Sequence, residues 1–264
     1  EGFSEKDLNR IKAGQETDFY RSLSSVIGKG TNLASYNTYT GNPGYISEDI
    51  KNTLAVTTEE VMLVYNKYIK NKNYITTSFV PKNSKELALK NSELAIVVDE
   101  KIIIGAELNF DSKTLSKYSK TSSLFDRSIE PDYGETPFLN VPKVYQSTLK
   151  NGLKIYGIKN DEVPLVNFNL TIQGGQLLES MDKLGLSNFT AQLMNKGTKD
   201  KTVKELEESI QELGASIYVS SSTESINIAV TTLSKNFKST LLLVEKMLLS
   251  PRFELDEFNL LKRF

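Results

Sequence analysis

The chain has 264 residues, of which 39% are hydrophobic and 25% are charged, and its formal net charge is −1. This composition is that of an ordinary globular protein, and the balanced charge gives no strongly basic surface for nucleic acid. The sequence contains neither cysteine nor histidine, which excludes disulfides, thiolate zinc sites, cysteine nucleophiles and histidine-based acid–base catalysis by this chain alone. No apolar run approaches the about 18 residues that a membrane-spanning helix needs, so we expect no transmembrane segment.

The first 82 residues predict a mainly helical region. Ser4, with Asp7 three residues later, is typical of a helix N-terminus, and the apolar spacing that follows predicts one long helix over 4–27. The GNPG sequence at 41–44 predicts a turn. Shorter helices are predicted on either side of that turn, over 31–39 and 46–54.

A fourth helix is predicted over 57–69. Thr57 and Glu60 have the spacing of a capping box, in which each side chain bonds the backbone of the other residue. Its apolar positions predict a buried stripe formed by Val61, Val64, Tyr65 and Tyr68. The YITTSFVP sequence at 74–81 then predicts a strand that Pro81 ends.

Residues 83–146 have the composition of a connector. The β-branched runs within 94–105 predict one or two short strands, and the sequence after them is rich in Ser, Thr, Lys and Pro. We expect this segment to wrap along the protein, with Phe125 and Phe138 anchored on a neighbouring surface.

A second folded region is predicted from residue 147. Asn151 and Gly152 predict the turn of a β-hairpin over 147–161. A half-buried strand, a second hairpin with Ile226, Ile228 and Val230 on one face, and four helices are predicted after it. These elements span, in chain order, a strand over 164–175, helices over 185–196 and 202–213, a hairpin over 216–233, a helix over 237–249 and a helix from 254.

Several patterns could indicate a site, but each has a structural explanation. The carboxylates of 204–213 lie along one helix, which is typical of an exposed face rather than of paired catalytic acids. Gly174 and Gly175 lack the residues of a phosphate-binding loop. The serines of 220–222 have no histidine to activate them. In the helix over 185–196, the spacing of Leu186, Phe189 and Leu193 predicts core packing.

The chain nevertheless resembles the insulinase-like zinc peptidases, the M16 family, over most of its length. In 148–264 the matching segments, in order, are TLKNGLKIYGI, VPLVNFNLTIQGG, GLSNFTAQLMNKGT, ELGASIYVSSST and LLSPRFELDEF. In 1–82 they are SEKDLNRIKAGQETDFYRSLSS, YNTYTGNPGYISEDI and TTEEVMLVYNKYI. The resemblance implies an α+β fold of the LuxS/M16 peptidase-like metalloenzymes, with antiparallel sheets and helices packed on one face.

The zinc helix of that family carries His-x-x-Glu-His, in which both histidines bind zinc and the glutamate activates the bound water. Asn188, Ala191 and Gln192 occupy these three positions here. Amides are poor zinc ligands and alanine takes no proton, so we expect no catalytic residue and no metal ligand in this chain. The three positions are degenerate, and we consider them as a lining of a substrate chamber or, alternatively, as an ordinary solvated helix face.

The resemblance also implies an organisation into two halves that close around a peptide, with zinc in one half only. On this interpretation 1–82 is the end of the C-terminal domain of the first half, 83–146 is a linker, and 147–264 is the N-terminal domain of an inactive second half. Zinc is then expected in the first half of the parent protein and an arginine–tyrosine pair in its last domain. The implied partners are the remainder of the same polypeptide and a peptide substrate, and the resemblance favours a periplasmic or envelope location in a Gram-negative bacterium.

Three functions remain open at this point. The chain is the non-catalytic portion of a two-half zinc endopeptidase, or a peptide-binding or partner subunit in which both halves are inactive, or a purely structural module. An intact His-x-x-Glu-His upstream would support the first function, and its absence would support the second. A structure without polar residues facing a cleft would favour the third.

Overall fold

The computed structural model describes residues 2–94, 96, 126, 128–130, 132, 134–136, 138 and 140–263. The chain divides into two compact units: Glu1–Lys72 with Lys143–Phe264, and Asn73–Pro142. Apart from Leu94 and Ile96, the strands predicted within 94–105 lie outside the described residues, as does Phe125. Within the described ranges, no helix is both long and apolar enough to cross a membrane.

The first unit begins with four helices, and the first of them is shorter than the sequence predicts. The cap by Ser4 is confirmed, since its side chain accepts a hydrogen bond from the backbone N–H of Asp7. The predicted continuous helix over 4–27 is wrong, because Ser25 accepts from the backbone N–H of Gly28 and thereby starts a new helix. The four helices are α1 (Glu5–Ser22), α2 (Val26–Thr40), α3 (Ile46–Ala55) and α4 (Thr58–Tyr68).

The predicted ends of α4 are confirmed, but its predicted burial is wrong. Thr57 and Glu60 form both hydrogen bonds of the capping box. However, Val64, Tyr65 and Tyr68 of the apolar stripe are 50%, 40% and 62% exposed. The local sequence therefore determines where this helix begins and ends, but it does not supply a surface to cover the stripe.

The second unit, 73–142, lacks the strand predicted over 74–81. This segment is extended but pairs with no other strand in the described part of the chain, and Ile75 and Phe79 are fully exposed. A single 3-10 turn follows at Lys85–Leu87. The predicted anchoring of Phe138 is also wrong, because its side chain is 99% exposed.

The first unit resumes with antiparallel sheets at the predicted positions. The hairpin of β1 (Val144–Thr148) and β2 (Lys154–Ile158) turns at Asn151 and Gly152 as expected, with Gly152 at φ +87. The other described strands form one sheet in the order β3–β5–β4, namely β3 (Leu165–Gln173), β4 (Ser216–Ser221) and β5 (Ser225–Leu233).

Helices cover one face of this sheet and build the core of the unit. They are α5 (Leu186–Met194), α6 (Val203–Glu212), α7 (Phe237–Leu249) and α8 (Leu255–Leu261). The core joins alternate residues of β5, such as Ile228 and Val230, to Leu206 of α6 and Met247 of α7, and all four are at most 3% exposed. The predicted α+β architecture, with antiparallel strands and helices on one face, is therefore confirmed.

Candidate functional site

The start of α5, the helix with the degenerate motif, is fixed by a carboxylate from outside the helix. Glu179 accepts hydrogen bonds from the backbone N–H groups of Gly185 and Ser187, both at 2.7 Å, and from the Ser187 hydroxyl at 2.5 Å. The Ser187 hydroxyl, followed by these two N–H groups, holds the pKa of the Glu179 carboxyl below its ordinary value. Ser221 on β4 donates in turn to Ser187 at 3.0 Å, which connects the helix start to the sheet.

The three degenerate positions do not lie together on one surface. Asn188 is exposed and Gln192 is partly exposed, and the Nε2 atom of Gln192 donates to the Oδ1 atom of Asn188 at 3.1 Å. Ala191 is 0% exposed and belongs to the hydrophobic core. Only Asn188 and Gln192 therefore remain as candidates for a chamber lining, and they present an uncharged pair of amides.

The surroundings of this pair supply no metal-binding chemistry. Among the residues that the structure describes, no group of three or more His, Cys, Asp or Glu side chains is placed to hold a metal ion. Asn188 and Gln192 offer amide oxygens, which do not replace two imidazoles for zinc. The residues present thus do not fit the zinc site that the resemblance describes for an active half.

The predicted apolar face of α5 is confirmed in part. Leu193 is 8% exposed, and the ring of Phe189 packs against Phe258 of α8 with centroids 5.4 Å apart. Leu186 was expected in the core, but it is 55% exposed, so this part of the prediction is wrong.

Sequence reasoning missed Asn195, which fastens the end of α5 to the sheet. Its side-chain amide donates to the carbonyl of Val219 at 2.8 Å, and its Oδ1 atom accepts from the N–H of Val219 at 2.9 Å. Val219 lies on β4, the last strand in the order β3–β5–β4. Asn195 therefore bonds both backbone groups of Val219, as a residue of a neighbouring strand would. The sequence gives no local signal for a partner 24 residues away.

The face of the sheet opposite the core, here called the helix-free face, is a second polar surface. The strands β3, β4 and β5 carry no charged side chain. Thr231 donates to Asn167 at 2.8 Å and Thr171 donates to Asn227 at 2.9 Å, so the polar groups are ordered across β3 and β5. Tyr218 is 59% exposed on the same face. An open groove of about 420 Å³ lies on the sheet, and its lining is Asn167, Phe168, Asn169, Ser216, Tyr218, Ala229, Val230 and Thr231.

The loop after α5 is structural rather than a site. Asp200 is exposed, and it pairs with Lys246 of α7 at 2.5 Å and accepts from Thr198 at 2.8 Å. These contacts, with that of Lys246 first, lower the pKa of Asp200 to about 2. Thr198 is 0% exposed and bridges to Pro251, so the loop ties α5 to the segment that leads into α8.

Comparison with known proteins identifies similar sequences for part of the chain. Residues 155–262 match the model of the insulinase family, peptidase family M16. This match covers the part of the chain from β2 to α8, which is less than half of its length.

Two curated relatives also match part of the chain. The chain is 27% identical over 121 residues to the probable mitochondrial-processing peptidase subunit beta of Arabidopsis thaliana, covering 46% of this chain and 23% of the relative. It is 27% identical over 113 residues to the mitochondrial-processing peptidase subunit alpha-1 of Dictyostelium discoideum, covering 43% of this chain and 17% of the relative. The chain therefore spans less than a quarter of the length of these curated relatives.

A solved structure matches part of the chain. It is the crystal structure of a peptidase M16 inactive domain from Pseudomonas fluorescens, which is 20% identical, with a TM-score of 0.44, covering 46% of this chain and 30% of that chain.

Proposed function

We propose that this chain is a non-catalytic portion of an M16-type zinc endopeptidase and that it supplies scaffold and part of the wall of the substrate chamber. The observation that carries the proposal is the state of α5. By the resemblance, the family's two metal positions correspond to Asn188 and Gln192, whose amides bond each other on the surface, and the position of the catalytic base corresponds to Ala191 in the core. The helix and its supports remain, and the groups that bind zinc and activate water are replaced.

The chemistry of the exposed surfaces suits contact with a polypeptide. Amide and hydroxyl groups can both donate to and accept from peptide bonds, and they do so without selecting for charge. The groove on the helix-free sheet face adds the amides of Asn167 and Asn169, of which Asn167 accepts from Thr231, and the exposed ring of Tyr218. In the proposal, zinc belongs to another half of the parent protein, and an extended peptide contacts this portion while it is cleaved elsewhere.

Peptide binding by the purified chain tests the wall assignment. An unfolded peptide of mixed sequence, titrated into isotopically labelled protein, should shift the side-chain amide signals of Asn188, Gln192 and Asn167. Gln15 and Asn37, exposed amides on α1 and α2, serve as controls and should not move. Equal shifts at all five amides, or none up to the solubility limit, would contradict a peptide-contacting wall.

A second function is favoured by one finding, namely that both curated relatives named above are subunits of a peptidase. Under this second function, neither half of the parent protein is active, and the chain belongs to a peptide-binding partner subunit. Sequencing the reading frame on both sides of this chain separates the two functions. His-x-x-Glu-His upstream supports the endopeptidase, and a complete parent without that motif supports the partner subunit.

A further inference from the structure

The helix α1 and the α/β module come from opposite sides of residues 73–142, yet they belong to one compact unit. We propose that α1 is a docking helix, whose contacts with α6 and with the turn after α6 hold residues 2–72 to residues 143–263 without a continuous chain between them. The proposal goes beyond the function above, because it concerns how two segments of the chain recognise each other and is independent of peptide contact.

The centre of the contact is a close approach between two backbones. Thr17 of α1 is 3% exposed, and its hydroxyl bonds the carbonyl of Gly214 at 2.7 Å. A Cβ atom at Gly214 would lie 2.5 Å from the carbonyl oxygen of Ala13 and 2.6 Å from the Thr17 hydroxyl. Gly214 also has φ +56, which ends α6 in a left-handed turn. Glycine at this position therefore ends α6 and leaves room for the backbone of α1.

An ion pair between a buried carboxylate and a lysine whose side chain is 60% exposed lies next to this close approach. Glu16 is 9% exposed, and both of its carboxylate oxygens accept from the Nζ atom of Lys235, at 2.8 and 2.6 Å. A carboxylate in such a position requires a partner, since an unpaired buried charge is strongly unfavourable. The partner, Lys235, follows residues 73–142 in the chain, whereas Glu16 precedes them. This pair therefore adds specificity to the close contact between the two segments.

The rim of the contact is made of complementary charges. Lys6 lies 3.0 Å from Glu208 and 3.1 Å from Glu212, and Arg10 lies 3.6 Å from Glu208. Leu8, which lies between Lys6 and Arg10 in the sequence, is 6% exposed and lies on the buried side of α1. Two of the carboxylates that the sequence assigned to an exposed face of α6, Glu208 and Glu212, thus face α1. Rim pairs of this kind contribute little individually but depend on salt, so docking should weaken as ionic strength rises.

Cleavage of the folded, full chain tests the proposal. A protease recognition sequence is inserted between Lys90 and Asn91, which are exposed, and the purified protein is cut and passed over a sizing column. We expect the two pieces to elute together at micromolar concentration in about 0.05 M salt, and to dissociate more readily in about 0.5 M salt. Pieces that separate under both conditions would overturn the proposal.

Two matched pairs of variants show whether the named contacts are responsible. Gly214→Ala should raise the dissociation constant of the cut protein at least about tenfold, because the new methyl group overlaps α1. Gly152→Ala is the control, since Gly152 also has positive φ but a Cβ there meets no atom within 4 Å. Equal effects of the two changes would show that backbone strain rather than docking is measured.

The second pair removes a hydroxyl group without adding volume. Thr17→Val loses the bond to Gly214 and should weaken association about fivefold or more. Thr38→Val is its control, because the Thr38 hydroxyl bonds only the carbonyl of Ala34 in its own helix, at 2.9 Å. This pair keeps the test decisive if Gly214→Ala fails to fold, and equal dissociation constants for Thr17→Val and Thr38→Val would contradict the proposed docking site.

Discussion

The helices α4 and α6 begin with the same capping box but have different surroundings. Thr57 with Glu60, and Thr202 with Glu205, each make both reciprocal hydrogen bonds. In α6 the apolar face is buried, with Leu206 at 1% exposure, whereas Leu63 of α4 is 64% exposed. Local hydrogen bonds thus fix the ends of both helices, while only α6 gains the free energy of burial.

The difference separates two kinds of information in the sequence. A capping box acts over three residues and works wherever the helix forms. Burial requires a surface from elsewhere in the chain, and for α6 the sheet and α7 provide it. The sequence of α4 has an apolar stripe, but the described part of its unit provides no surface that covers this stripe.

The largest expected effect is a truncation in the core. Leu206→Ala should lower the free energy of unfolding by about 2–5 kcal/mol, because it removes buried methyl groups and leaves a cavity. Leu63→Ala, the same change on the exposed face of α4, should alter it by less than about 0.5 kcal/mol. Urea unfolding followed by circular dichroism measures both values, and equal losses would show that α4 is packed as tightly as α6.

Removing the caps should have a smaller and more local effect. Thr202→Ala should lower the free energy of global unfolding by about 1 kcal/mol, since a backbone N–H loses its partner in a packed helix. Thr57→Ala breaks the same bond, but we expect faster amide hydrogen exchange confined to α4. Slower unfolding or unchanged exchange in both variants would contradict the role given to the capping boxes.

The cap of α5 is supplied from a distance and should appear in the pH dependence of stability. The pKa of Glu179 is lowered from 4.5 in the folded state, so its contacts favour the ionised form. Their stabilisation is complete above pH 4.5 and is lost as the pH falls through the lowered pKa. Glu179→Gln should therefore flatten the fall in stability on the acid side of that value, and a variant with the wild-type slope would show that this carboxylate is not the group involved.

The smallest expected effect concerns the exposed amides of α5. Asn188→Ala and Gln192→Ala should each change the free energy of unfolding by less than about 0.5 kcal/mol, since neither side chain is buried. Asn195→Ala is the comparison, because it leaves Val219 without its side-chain partner and should cost about 1–3 kcal/mol. Thermal unfolding distinguishes the two classes, and a large loss for Asn188→Ala would assign that residue a structural role.

The sequence predicted features that depend on local patterns, but not those that depend on contacts with distant parts of the chain. The turn at Asn151 and Gly152, the capping boxes and the alternation of Ile228 and Val230 are local patterns, and the structure has them where they are expected. The strand over 74–81 required a distant pairing partner, and no local pattern reports whether one is present.

The candidate site divides in the same way. The replacement of metal ligands at Asn188 and Gln192 is read directly from the resemblance, whereas the burial of Ala191 and the pairing of Asn195 with Val219 depend on the packed sheet. The assignment of 1–82, 83–146 and 147–264 to domains of two peptidase halves stays a prediction, as does the periplasmic or envelope location.

The central claim is that α5 keeps the form of a zinc helix without its chemistry, and one experiment tests it directly. The purified chain is dialysed against zinc, its bound metal is measured, and hydrolysis of an unfolded protein is followed with and without a chelator. Asn188→His with Gln192→His is the control, since two imidazoles one turn apart restore a zinc-binding pair and show that the assay detects one. We predict no stoichiometric zinc and no chelator-sensitive hydrolysis for the native chain, and zinc retention in the double variant. One zinc per native chain, or hydrolysis that a chelator abolishes, would contradict the account.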